Sequence, residues 1–136
     1  MSEVPKGLPP EAESVSRGGF NLHAGPVWRL PADGEVRRFA ILIAEKHMNS
    51  AGSAHGGLIM TFADVAMSQT ARAVSGAPAT STVSMTCDFV GPGKLGDVLE
   101  ARVRVTRLTR TMVFLAADIA AGERPVAVAT GLWKIA

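Results

Sequence analysis

Tyrosine is absent from the 136 residues, cysteine occurs once, and charged side chains make up only 19% of the chain. A lone thiol, Cys87, excludes an intramolecular disulfide and with it the small disulfide-stapled scaffolds of secreted proteins. No apolar run reaches the ~18 residues of a membrane-spanning helix. No basic start followed by an apolar stretch reads as a signal peptide. The expectation is a soluble, cytoplasmic chain with no membrane partner. Basic blocks interleaved with aromatics are missing too, and the net charge is only +2, so no nucleic-acid partner is expected. His23, His47, His55 and Cys87 form no HxxxH, HxH or CxxC pattern, so a zinc site is not expected. GxSxG, GxGxxG and Walker A motifs are also absent. No cofactor is expected. Without tyrosine there is no phenolic donor, although aryl substrates are not excluded by that.

What is present is apolar: 47% of the residues are hydrophobic, enough for a core, and the length suits one domain. Residues 1–19 differ from the rest. Pro5, Pro9, Pro10, Glu11, Glu13, Ser14, Ser16, Gly18 and Gly19 read as a flexible leader, and 20–136 as the folded domain. Phe39 to Glu45 is a short apolar run that suits a buried strand, and Gly25 to Leu30 suits another. Gly57 to about Val74 carries no proline and no internal glycine. It predicts a helix, ended by Gly76-Ala77-Pro78. Thr80 to Val90 alternates, with Thr82, Ser84, Thr86 and Asp88 on one face and Val83, Met85, Cys87 and Phe89 on the other. Turns at Gly91-Pro92-Gly93, Thr109-Arg110-Thr111 and Gly122 to Pro125 separate three further strands: Asp97–Leu108, Met112–Ala120 and Val126–Ile135. The expected architecture is α+β, an antiparallel sheet wrapped around one nearly all-apolar helix. Apolar residues on the sheet's other face predict a partner subunit. Cys87, on the apolar strand face, reads as core.

Chemistry concentrates at the start of that helix, in NSAGSAHGGLIMTFAD. Thr61, Asp64, Ser68 and Arg72 fall along one side of the helix. This is either a plain solvent stripe or a functional one. No Lys or Arg stands three or four residues from Asp64 to pair with it. Gly56 and Gly57 open the helix N-terminus, where unpaired N–H groups and the dipole could polarise a carbonyl oxygen, as in an oxyanion hole. The bland alternative is a tight turn. The basic residues Lys94, Arg102, Arg104, Arg107, Arg110 and Arg124 cluster in the second half, as a solvated strand face or a site for a phosphorylated ligand.

The spacing N-x-x-G-x-x-H-G-G-x6-D, carried by Asn49, Gly52, His55, Gly56, Gly57 and Asp64, resembles the hotdog-fold acyl-CoA thioesterases of the PaaI-like (acyl-CoA thioesterase 13-like) group. The likeness spans roughly residues 20–136. It implies hydrolysis of an acyl- or aryl-acyl-CoA thioester, without cofactor, by a homodimer or homotetramer with active sites at the subunit interface. By matched position, Asp64 is the nucleophile or general base. Asn49 from the facing subunit orients water or substrate, and the Gly57 N–H beside Gly56 polarises the carbonyl. His55 helps position the substrate, and a strand hydroxyl assists, Thr82 first and Ser81 next. For the CoA phosphates the candidates are Arg102, Arg104, Arg107 and Arg110. For the acyl pocket they are Phe20, Leu22, Trp28, Met60 and Met67. The alternative implied is a non-catalytic acyl-CoA-binding hotdog protein. A hotdog dehydratase or hydratase would need an Asp/His pair at a spacing that is absent.

Overall fold

The computed structural model describes residues 3–135. One helix, α2 (Gly56–Ser75), lies in the curve of a seven-stranded sheet. The strands are β1 (Glu13–Ser14), β2 (Trp28–Asp33), β3 (Val36–Leu42), β4 (Ser81–Phe89), β5 (Val98–Leu108), β6 (Met112–Ala121) and β7 (Arg124–Lys134), with a short helix α1 (Gly19–Ala24) before β2. Their order across the sheet is β1-β2-β3-β5-β6-β7-β4, every pair antiparallel. This is the expected α+β arrangement. Turns of a few residues join β5, β6 and β7, so those strands pair in sequence. The helix interrupts the run, and β4 joins the far edge beside β7.

Period-two alternation sets the inner face. Phe39 and Ile41 of β3 stand across from Ala101 and Leu99 of β5, and all four are buried with Phe62, Ala63, Ala66 and Met67 of the helix. Small residues at 63, 66 and 71 are fully buried and let the sheet approach the helix axis. A left-handed Gly76 (φ 71°) ends α2, its N–H donating to the Arg72 carbonyl, as glycine at this position commonly does.

A second apolar cluster forms on the outer face, where Trp28, Leu30 and Ala40 are covered by Ala12, with Val4, Leu8 and Val98 packed around them. Residues 3–19, expected as a flexible leader, thus lie against the sheet, and Glu13–Ser14 extends it by pairing with Arg29 and Trp28. Two expected acyl-pocket residues are corrected by burial. Trp28 is on the outer face of the sheet, away from the helix, and Met67 is sealed inside the core with 0% exposure. Phe20 and Leu22 are exposed on α1. Cys87 is half-buried and packs against the core; burial pushes its thiol pKa up.

Candidate active site

Asp64 lies two turns into α2 and is half-buried. Its Oδ1 accepts a hydrogen bond of 2.6 Å from Thr82 Oγ1, the length of a charge-assisted O–H···O⁻ contact. Simple alternation places Thr82 with Ser84 and Thr86, on the face away from the helix. The structure corrects this. Thr82 pairs with Trp133 and Ser84 with Leu132, so Val83 is an extra residue in β4. Such a bulge re-aims a side chain, and here it turns Thr82 inward beside the buried Trp133. The next residue along the helix stripe, Ser68, accepts from Trp133 Nε1 at 2.8 Å. Asp64 and Ser68 are therefore not a plain solvent stripe: each meets the sheet through a hydrogen bond. Ser81 is exposed at the start of β4, opposite Lys134.

The helix N-terminus is built by histidine. His55 is the N-cap, and its Nδ1 accepts the Gly57 N–H at 2.8 Å. That bond fixes the neutral tautomer with its proton on Nε2. A Cβ at Gly57 would stand 3.0 Å from the same nitrogen, so glycine makes room for the capping ring. The Gly57 N–H, expected as a carbonyl-polarising donor, thus has an internal acceptor. The Gly56 N–H has no protein acceptor among the described residues. A Cβ at Gly56 would meet the Phe89 ring at 3.3 Å, so this glycine lets the end of β4 close on the helix start.

The preceding loop is locked from inside. Asn49 Oδ1 accepts from the N–H groups of Ala51 and Ser53, and its Nδ2 donates to Ser53 Oγ. His47 is the residue that sequence reasoning missed. It is buried; its Nδ1 accepts the Ala44 N–H and its Nε2 donates to the Ala24 carbonyl at 2.6 Å. Its own carbonyl accepts the His55 N–H at 2.8 Å. One imidazole therefore ties α1 to the loop carrying Asn49 and His55. Burial holds its pKa below the ordinary 6.5, and nearby Lys46 adds to this, against the raising effect of the Ala24 hydrogen bond.

Two clefts flank the helix start. One of about 420 Å³ is lined by Asn49, Ser53, Gly56 and Phe89. The other, about 380 Å³, lies between α1 and α2 and is lined by Phe20, His55, Gly57, Leu58 and Thr61. Leu22 and Met60 line neither of them.

Asp64 and the helix start do not converge within one chain. Seven residues separate Gly57 from Asp64, an axial rise of ~10 Å at 1.5 Å per residue. A carbonyl held at the first turn is out of reach of that carboxylate. The two ends of the motif lie on nearly the same side of α2, two turns apart, so it is the axial rise that separates them.

The basic residues divide similarly. Arg102 is paired with Asp33 and Glu100, and Arg104 with Asp118. Arg107 and Arg110 are exposed, with no ion pair among the described residues.

Comparison with known proteins bears on the family and the fold. The thioesterase superfamily model matches residues 51–128, from the Asn49 loop into β7. A candidate esterase of Pseudomonas aeruginosa is 43% identical over 98 residues, 71% of this chain and 72% of that protein. Human acyl-coenzyme A thioesterase 13 is 33% identical over 81 residues, 57% of this chain and 55% of the human protein. The structure of Escherichia coli PaaI, from the phenylacetic acid degradation operon, superposes with a TM-score of 0.75 at 22% identity. That match covers 84% of this chain and 82% of PaaI. The chain belongs to the thioesterase superfamily and has the hotdog fold. Its class of chemistry is thioester hydrolysis.

Proposed function

We propose that this chain hydrolyses acyl- or aryl-acyl-CoA thioesters to the free acid and CoA, at sites shared between two copies. The observation that carries the reading is the Asp64–Thr82 hydrogen bond at 2.6 Å. It fixes an otherwise unpaired carboxylate on a half-exposed helix face. Asp64 acts as nucleophile or general base. A thioester is an activated acyl group, so a positioned carboxylate and main-chain N–H donors suffice without a cofactor.

The axial gap within one chain favours a carbonyl-binding turn supplied by a second copy, and β4 supports a route for it. It is a nine-residue edge strand with one side unpaired, and Val83, Phe89 and Val90 are all at least half-exposed. Bare apolar edges are templates for pairing with another strand. Thr82, near the start of β4, touches Asp64, while Phe89, at its end, touches Gly56. Two β4 strands paired antiparallel about Met85 bring Thr82 and Asp64 of one copy beside the first helical turn of the other. A two-fold interface then makes two such sites. In each, the Gly56 N–H with Asn49 and His55 of one copy holds the carbonyl and the attacking water, Gly57 leaves room for the capping His55 ring, and Asp64 of the other supplies the carboxylate. Ser81 borders this junction.

Arg107 and Arg110 fit the CoA phosphates by position. Ser81, Lys134 and Met112 are in register across three strands, which places the β5–β6 hairpin at the Thr82 end of the sheet. Pairing of two such dimers into a homotetramer, and a cytoplasmic location, belong to the same reading.

The test is free-thiol release from short, long and phenylacetyl-CoA, with wild type and Asp64→Ala side by side. Turnover in wild type and its loss in a folded Asp64→Ala protein are expected. Equal turnover in both would remove Asp64 from the mechanism. Binding of CoA thioesters with no turnover of any would favour the non-catalytic alternative.

A further inference from the structure

At the end of α2 remote from Gly57, a cavity of about 550 Å³ opens between the last helical turns and strands β1, β2 and β3. Four arginines line it, Arg17, Arg29, Arg37 and Arg72, with one carboxylate, Glu13. Four guanidinium groups less one carboxylate leave +3 here, in a chain whose net charge is +2. Two of the four are occupied. Arg29 pairs with Glu13 at 2.8 Å, and Arg17 donates to the Ser14 and Ser16 carbonyls. Arg37 and Arg72 make no ion pair among the described residues.

The position of Arg37 is informative. On β3 it shares the inward face with Phe39 and Ile41, and its partner across the ladder is the fully buried Val103. Arg37 is half-buried and Arg72 exposed, so both guanidinium groups keep access to the cavity's solvent and neither is met by a carboxylate among the described residues. Its neighbour Arg38 points outward and is met by Glu100 in a two-pronged contact of 2.8 and 3.1 Å. Arg37 has no such carboxylate. Arg72 enters the cavity from a second wall, the last turn of α2. The negative end of the helix dipole amounts to roughly half a charge, too little to balance the arginines.

We propose that this cavity binds a small anion carrying two or more phosphoryl groups. Guanidinium forks match phosphate oxygens in bidentate fashion. Two unoccupied forks on separate walls call for two anionic groups on one ligand, and the volume lies in the usual small-molecule range of roughly 300–1,000 Å³. The phosphates belong either to the nucleotide end of a CoA thioester or to a free nucleotide; the binding claim does not depend on the thioesterase reading.

Calorimetric titration of the full-length protein with inorganic pyrophosphate and with adenosine 3′,5′-bisphosphate tests it. Arg37→Ala and Arg72→Ala should each weaken binding about tenfold, as loss of one charged hydrogen-bonding group does. Glu13→Gln should tighten it, a change of opposite sign that general loss of structure does not produce. Circular dichroism confirms that each variant is folded. If a non-hydrolysable CoA thioester analogue competes with the bisphosphate, the cavity serves the substrate; additive binding means a separate nucleotide. No binding to wild type at millimolar concentration, or equal affinity in wild type and both arginine variants, overturns the proposal.

Discussion

Thr82 meets Asp64 at 2.6 Å because β4 carries one residue more than its partner at Val83. Without that bulge the hydroxyl would point to the outer face with Ser84 and Thr86. The carboxylate on α2 would then face the sheet with no donor.

Asp64→Asn keeps the shape and removes the charge. It should lower kcat about 10²–10⁴-fold, the usual worth of a positioned acid or base. Thr82→Val keeps the volume and removes the donor, and should lower kcat about tenfold with KM little changed. Steady-state thiol release reads both. A Thr82→Val protein with full kcat would make the hydroxyl structural.

The bare edge of β4 predicts the response to a charge placed on it. Val83 is 54% exposed in the single chain. Val83→Lys should shift the protein towards monomer in light scattering and reduce turnover in step, while the circular dichroism spectrum stays that of the wild type. A fully active monomer would contradict the shared site.

His47 predicts an acid-labile latch. Its folded-state pKa is depressed, chiefly by burial, so the unfolded chain binds the extra proton first. The sign follows: this contribution is complete above about pH 6.5, the unfolded value, and is lost as pH falls from there through the folded pKa. Protonated Nδ1 can no longer accept the Ala44 N–H. Melting curves between pH 8 and pH 5 should therefore fall more steeply for wild type than for His47→Asn, which has no such titration. Parallel curves would remove the latch.

The Arg38–Glu100 pair on the outer face is two-pronged and about a quarter exposed on each side. The Arg38 hydrogen bonds hold the Glu100 carboxyl below its ordinary value, against burial. Arg38→Ala should cost about 1 kcal/mol in urea unfolding, the upper range for a pair this exposed. Thiol release should be unchanged.

Much of this was legible in the sequence. The proline-free apolar run matched α2 nearly to the residue, alternation marked β4 and β5, and an apolar run and the turns between strands marked β6 and β7. The spacing from Asn49 to Asp64 pointed to the family. Other features depend on tertiary context. β1 has two residues and α1 six, too short for periodicity to register, and both lie in a stretch rich in Pro and Gly. The bulge is invisible because hydroxyl and apolar residues go on alternating through Thr82, Val83 and Ser84. His47 looks like any lone histidine until Ala24 and Ala44 close around it. Arg102 read as a candidate for the CoA phosphates because its partner Asp33 is distant in sequence, near the β2–β3 turn, and Trp28 read as a pocket candidate because sequence does not say which side of a sheet is inside. The gap from Gly57 to Asp64 follows from helical rise alone and argues for a second copy of the chain.

That division of labour between two copies is most directly tested by mixing subunits. Asn49→Ala and Asp64→Ala proteins, each inactive alone, are unfolded together in equal amounts and refolded. Random pairing makes half the dimers mixed, each with one intact site of two. Recovered thiol release should therefore approach about a quarter of the wild-type rate, as expected for a two-fold interface with two sites. A mixture as inactive as its parents would mean that both residues act within one chain, and would contradict the account.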